Sequence, residues 1–264
     1  MAQQTKPDFD GNEKGEPGDE PVRIATWSGP RNISTALMRS FDARDDCAVI
    51  DEPLYAHYLK AAGSSLPDHP AHDQIIREHE WDWRIVTRAL IGPVPGGKPV
   101  WYQKHMAHHL TEGCGKKWIL SLSNILLIRD PADMITSFIK VIADPTPADL
   151  GLPQQVELFQ WIHSKTGRWP TVVDSRTVLE NPPAMLAAIC KQVGIPYTDA
   201  MLSWQPGPRE TDGVWAPHWY DSVYKSTGFA PYKPKAETVP EHLAGVLAEC
   251  QEFYDILAEH CLKT

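Results

Sequence analysis

The sequence predicts an α/β fold of three layers, α/β/α, around a mostly parallel central sheet. Two observations carry that prediction. Short, nearly continuous apolar runs recur at Val22–Trp27, Cys47–Ile50, Val100–Gln103, Ile125–Ile128 and Thr171–Asp174, and strands buried on both faces of a parallel sheet have that composition. Between them lie stretches whose apolar residues repeat at three- and four-residue steps, as helices crossing from one parallel strand to the next require.

Residues 1–20 are rich in Gly, Pro, Gln, Asp and Glu and nearly free of large apolar side chains, so a disordered acidic tail is expected there, with one domain over residues 21–264. The tail lacks the apolar core of a secretory signal, and no run approaches the roughly 20 apolar residues of a membrane span. Cys47, Cys114, Cys190, Cys250 and Cys261 are scattered without a C-x-x-C pair, which points to reduced thiols in a cytoplasmic compartment rather than a disulfide frame or zinc site. A net charge of −9 opposes bulk attraction to nucleic acid or an anionic membrane, so an anionic ligand needs a local cationic cluster.

The first strand breaks at Ser28-Gly29-Pro30-Arg31-Asn32-Ile33, and a helical pattern starts at Ser34-Thr35 with Ala36, Leu37, Met38 and Phe41. Strand, tight polar loop and helix together aim free backbone N–H groups at whatever lies above the strand, and the positive end of the helix dipole favours an anion. Gly29 lets the backbone approach closely, Ser34 and Thr35 offer hydroxyls, and Arg31 adds a planar cationic fork. An ordinary βα turn with a Ser/Thr cap fits the same residues equally well. A Walker A loop is excluded, because no lysine stands between Arg23 and Lys60, and no second or third glycine follows to make a dinucleotide fingerprint.

The second strand ends at Asp51-Glu52-Pro53, at the edge where α/β proteins keep their ligands, which makes Glu52 a candidate catalytic carboxylate; capping the next turn is the alternative. His57 follows on a short helix with Tyr55 and Tyr58, where a packing or surface role is commoner. A single helix is expected from Asp68 to Ile91, carrying Ile75, Ile76, His79, Trp83, Val86 and Leu90. His69, His72 and His79 lack metal-ligand spacing, so no metal is expected. Lys104 and His105 emerge at the end of the third strand, and His108 and His109 read as solvated surface residues.

The fourth strand ends in Arg129, and Asp130-Pro131 opens a helix with Met134, Ile135 and Phe138 on its apolar stripe. Ser137 lies eight residues beyond Arg129, turned back towards the strand mouth. An arginine and a hydroxyl so placed can grip one phosphate, although a salt bridge from Arg129 to Asp130 or Asp133 would use the same residues.

These two corners resemble the donor-binding motifs of sulfotransferases: Pro30 to Thr35 is similar to their 5′-phosphosulfate loop, and Arg129-Asp130-Pro131 with Ser137 to their 3′-phosphate motif. The resemblance implies a P-loop-like fold, 3′-phosphoadenosine 5′-phosphosulfate (PAPS) as donor and no metal requirement. It places Ser28, Gly29, Pro30, Arg31, Asn32, Ile33, Ser34 and Thr35 around the 5′ end of the donor, and Arg129 and Ser137 at its 3′-phosphate. Many members carry lysine at the position of Arg31 and glycine at that of Ile33; arginine keeps the charge but does not donate a proton. Asp51-Glu52-Pro53 resembles a segment of bacterial carbohydrate-type members, which makes Glu52 the general base; the cytosolic branch uses histidine, for which His105 or His57 would stand. Lys225, Ser226, Thr227 and Gly228 loosely resemble a basic segment that covers the 3′-phosphate.

Elsewhere, Asp144 to Leu152 reads as a loop bordering the acceptor pocket, Val156 to Ile162 and Met185 to Val193 as packing helices, and Val239 to Leu262 as a final helix. Trp204 to Lys235, rich in Trp, Tyr, Pro and Gly, reads as a functional loop. The expected reaction moves a sulfuryl group to a hydroxyl or amine of a small acceptor such as a sugar, alcohol or amine, with a homodimer left open. Two other classes fit parts of the chain: a P-loop nucleotide kinase or hydrolase, and a non-catalytic relative that binds 3′-phosphoadenosine 5′-phosphate (PAP).

Overall fold

The computed structural model describes residues 20–63, 69–234 and 236–264, so the tail expected over residues 1–20 falls outside the described residues except for Glu20. Each apolar run forms a strand: β1 (Val22–Ser28), β2 (Cys47–Asp51), β3 (Val100–Met106), β4 (Ser123–Ile128) and β5 (Thr171–Asp174). They pair in parallel throughout, in the order β2-β3-β1-β4-β5.

Alternation along β1 builds the layers. Ile24 packs on one face with Leu37 and Phe41 of α1 (Ser34–Asp42). Ala25 and Trp27 point to the other face. After β2 come α2 (Tyr55–Ala62), α3 (His72–Glu78) and α4 (Trp83–Leu90), and Leu90 of α4 packs beneath Trp27. After β4 come α5 (Pro131–Phe138), α6 (Pro147–Leu150) and α7 (Leu152–Thr166), whose Leu158 and Ile162 complete that second face. Past β5, α8 (Ser175–Glu180) leads into α9 (Pro182–Val193), which returns Leu186 and Ile189 to the first face and ends at Gly194 with φ of 77°. Ile24, Leu37, Leu186 and Ile189 are fully buried, and each such side chain contributes about 1.5–3 kcal/mol.

Three elements differ from expectation. The helix expected from Asp68 to Ile91 is two, because His79 is extended at φ −118°, ψ 151° and the Asp82 carboxylate accepts from Arg84 N at 2.9 Å to start α4 afresh. The aromatic segment after Trp204 contains two single turns, α10 (Ala216–Trp219) and α11 (Asp221–Tyr224). The last helix, α12 (Ala244–Ala258), is shorter than expected, since Pro240 enters it through a 3₁₀ turn at Glu241–Leu243.

The strand order puts the site between β1 and β4. The chain leaves β1 through α1 on one face and reaches β5 from β4 through α7 on the other, so a crevice opens at the C-terminal ends of this pair. Gly29 makes close packing there possible: a Cβ at this position would lie 2.1 Å from the Leu150 carbonyl oxygen and 2.7 Å from the Met134 methyl carbon.

Candidate active site

The loop after β1 is bolted to the neighbouring strand. Asn32 Nδ2 donates to Leu127 O at 2.9 Å and Asn32 Oδ1 accepts from Ile33 N at 2.9 Å, so this side chain shapes the loop. Arg31 adopts a positive φ of 56°, a cost for a non-glycine residue, and its carbonyl accepts from Arg129 Nη1 at 2.5 Å. The Arg31 side chain donates from Nε to Ser137 Oγ at 3.1 Å. The two corners therefore meet. Among the described residues no side chain caps the start of α1, so the hydroxyls of Ser34 and Thr35 are not spent on a cap.

Arg31 pairs with no carboxylate among the described residues. Burial, followed by the nearby charge of Arg129, lowers its pKa. Two half-buried guanidinium groups this close repel unless an anion joins them. Arg129 also approaches Asp133 at 3.5 Å, so the alternative salt bridge exists but is long.

A second cluster forms at the ends of β2 and β3, where Asp51 is in register with Lys104. Lys104 Nζ donates to Asp51 Oδ1 at 2.8 Å, Glu52 Oε1 at 2.5 Å and Tyr220 Oη at 2.6 Å. Asp51 Oδ2 also accepts from Tyr220 Oη at 2.7 Å and Trp215 Nε1 at 3.2 Å. Asp51 is thus saturated. Glu52 is not: among the described residues its Oε2 has only His109 Nδ1 at 3.9 Å, beyond hydrogen-bond length. Burial raises the Glu52 carboxyl above its ordinary range despite the opposing pull of Lys104. Burial alone would lower the Lys104 ammonium, but the two carboxylates outweigh it and keep it charged.

Both clusters line one cavity of about 390 Å³, which brings Arg31, Arg129 and Ser137 together with Glu52, Lys104 and Tyr220. Residues 22–259 match the family of the sulfotransferase domain. The chain belongs to the sulfotransferase family. It is 35% identical over 90% of its length to branched-chain-amino-acid aminotransferase-like protein 2 of Arabidopsis thaliana, and 36% identical over 91% to protein 1 of that name. The chain spans only 41% and 42% of those relatives, about two fifths of their length. The fold is similar to that of the sulfotransferase domain from the Synechococcus PCC 7002 olefin synthase, with a TM-score of 0.52 at 13% identity, covering 96% of this chain and 98% of that one. The parallel α/β/α arrangement is therefore the P-loop-like fold of sulfotransferases.

Within this sulfotransferase cavity the structure gathers Pro30, Arg31, Asn32, Ile33, Ser34 and Thr35 with Arg129, Ser137 and Glu52. Ser28 lies beneath the loop, buried, with its hydroxyl donating to Met106 Sδ at 3.7 Å, and Gly29 serves the close approach to Leu150. The expected loop from Asp144 to Leu152 holds α6, and its Asp149 reaches the cavity.

Other candidates lie elsewhere. His105 points away from the cavity: neighbouring strand residues face opposite ways, and its ring stacks on Trp27 at 4.3 Å, with burial pushing it down to about 3. His57 Nε2 pairs with Thr111 Oγ1 at 2.8 Å and does not line the cavity. Lys225 is exposed and paired with Asp221 at 2.7 Å, Ser226 Oγ accepts from Trp204 Nε1 at 3.1 Å, Thr227 lines a separate surface cavity, and Gly228 bridges to Ser203. The part of that segment that reaches the cavity lies just before them, at Trp219, Tyr220, Ser222 and Val223.

His109 corrects a reading. It is buried rather than solvated, its ring stacked between Tyr55 at 4.4 Å and Tyr58 at 4.8 Å. His108 also lines the cavity. Among the described residues no cluster of three or more His, Cys, Asp or Glu could hold a metal ion, and no helix is long and apolar enough to cross a membrane.

Proposed function

We propose that this sulfotransferase moves a sulfuryl group from PAPS to a hydroxyl or amine of a small acceptor. The observation that carries the reading is the 3.1 Å contact between Arg31 and Ser137, which joins the two cationic corners on one wall of the cavity that also holds Glu52. The residues present fit a doubly anionic ligand: two arginines without a strong carboxylate partner, two uncommitted hydroxyls, and an uncapped helix start. PAPS would supply the activated sulfuryl group.

On this reading Arg31, Ser34 and Thr35 hold the 5′ end of the donor, and Arg129 with Ser137 its 3′-phosphate. Asn32 fixes the loop. Arg31 stabilises charge developing on oxygen but gives up no proton, because a guanidinium stays charged. Glu52 takes the acceptor proton on Oε2, its unpaired oxygen, while Lys104 holds Oε1 still. All five cysteines are free thiols, which supports a reducing, cytoplasm-like compartment.

Calorimetry with PAP tests the donor site. The native protein binds it, and Arg129→Ala weakens binding about 10-fold or more, the scale of a lost charge-assisted hydrogen bond. Unchanged affinity in that variant would count against the assignment.

A further inference from the structure

Gln155 stands in the first turn of α7, where its backbone N–H donates to Gly151 O at 3.0 Å, and its side chain is wholly buried. The start of α7 packs on the loop after β1: a Cβ at Gly151 would lie 3.3 Å from Gly29 Cα. From there Gln155 Nε2 donates to Trp27 O at 2.9 Å and to Leu127 O at 3.0 Å. One nitrogen thus ties β1 to β4 where their pairing ends, at Ser28 and Leu127. Trp27 leads into the loop of Arg31, and Leu127 into Arg129. Leu127 O also accepts from Asn32 Nδ2 at 2.9 Å, so the loop, the strand and α7 meet on a single carbonyl. The amide carries a cost, because Gln155 Oε1 is buried without a partner among the described residues. An apolar side chain of the same length would escape that cost, but it could not join two strands through one nitrogen.

We propose that Gln155 is a positioning residue that sets the distance between the two arginine corners, and so selects ligands with two anionic groups over ligands with one. This rests on the two-corner donor reading. A ligand that bridges two sites gains affinity over its halves only while the spacing of the sites matches its own. The contact between Arg31 and Ser137 cannot hold that spacing, since a bound phosphate would claim both groups. Gln155 does not line the cavity, and no ligand competes for its bonds.

Three nucleotides separate spacing from stability: PAP, which reaches both corners, adenosine 5′-phosphate, which reaches the first, and adenosine 3′-phosphate, which reaches the second. Each is titrated calorimetrically into the native protein and into Gln155→Met, which keeps the length of the side chain without its N–H groups. The native protein is expected to bind PAP tighter than either monophosphate by about 10-fold or more. In Gln155→Met that advantage falls by about 5-fold or more, while the affinity for each monophosphate changes by less than about 2-fold. Gln155→Asn, a methylene too short to reach both carbonyls, behaves in the same way and serves if the methionine variant does not fold. A loss shared by all three nucleotides, an unchanged PAP advantage, or failure of both variants to fold overturns the proposal and leaves the amide as core packing. If the native protein does not prefer PAP to the monophosphates, the two-corner reading itself fails, and this inference with it.

Discussion

Lys104 Nζ lies 2.5 Å from Glu52 Oε1, and both side chains are buried. Asp51 shares the same ammonium but takes further bonds from Tyr220 and Trp215, so of two adjacent carboxylates only Glu52 keeps an open oxygen. Removing the cation strands two buried acids. Lys104→Met is expected to destabilise the protein by about 3–5 kcal/mol, the scale for breaking a buried ion pair from one side. A denaturation midpoint equal to that of the native protein would mean that the pair contributes little.

Glu52→Gln separates binding from turnover. The amide keeps the size of the side chain and leaves the arginine corner untouched, so PAP should bind as in the native protein. Loss of the base lowers kcat by about 10²–10⁴-fold. If activity persists at native level, the base is another group, and His109, whose Nδ1 lies 3.9 Å from Glu52 Oε2, becomes the first to test.

The pH profile of kcat carries the same assignment. The base works only when ionised, and burial raises its pKa, so activity should fall on the acid side at a pH above the ordinary carboxylate range. Tyr220→Phe removes a hydroxyl 2.6 Å from Lys104 Nζ and 3.4 Å from Glu52 Oε1, taking support from the ionised form. The acid limb then moves to higher pH. An acid limb that stays in place would show that Tyr220 packs without tuning the base.

Much of this site could be read before the fold was known, for a geometric reason. Glu52 and Arg129 follow a strand directly and Arg31 stands in the loop just past one, and in a parallel sheet every strand end opens on the same edge. Ser137 was legible because two helical turns bring it back over that edge. The aromatic wall was not. Tyr220 meets Lys104 across 116 residues, and no local pattern marks such a pairing. His105 and Lys104 are adjacent in sequence, but the pleat sends one to the cavity and the other onto Trp27, and that choice depends on the register of β3 with β1. The apolar residues from Met185 to Val193 located α9, whereas the break between α3 and α4 rests on a single cap at Asp82.

Gly29→Ala tests the close approach beneath the loop. The added methyl would stand 2.1 Å from a backbone oxygen, which cannot turn aside as a flexible side chain could. Overpacking of this kind costs about 1–3 kcal/mol and displaces the loop. Both the thermal midpoint and PAP affinity should fall; a variant with native values of each would show that the loop yields freely.

Acid should destabilise the fold through its buried imidazoles. His105 and His109 are almost wholly buried, and burial depresses both, His105 to about 3. In the unfolded chain each titrates near 6.5, so below that pH the unfolded state binds protons that the folded state refuses. The stability they confer is complete above about pH 6.5 and is lost as pH falls, by on the order of 1.4 kcal/mol per pH unit for each ring. Glu52 and Asp174 pull the other way, because burial raises both carboxyls and each binds a proton in the folded state first, but burial also lowers His57, His69, His79 and His108, so the depressed imidazoles outnumber the raised carboxyls. Urea midpoints should therefore decline from pH 7 to pH 5, and His105→Gln, which removes one of these imidazoles, should flatten that decline. A midpoint independent of pH over this range would mean that these rings gain protons without unfolding, and that the packing around Trp27 and Tyr55 opens more easily than their burial implies.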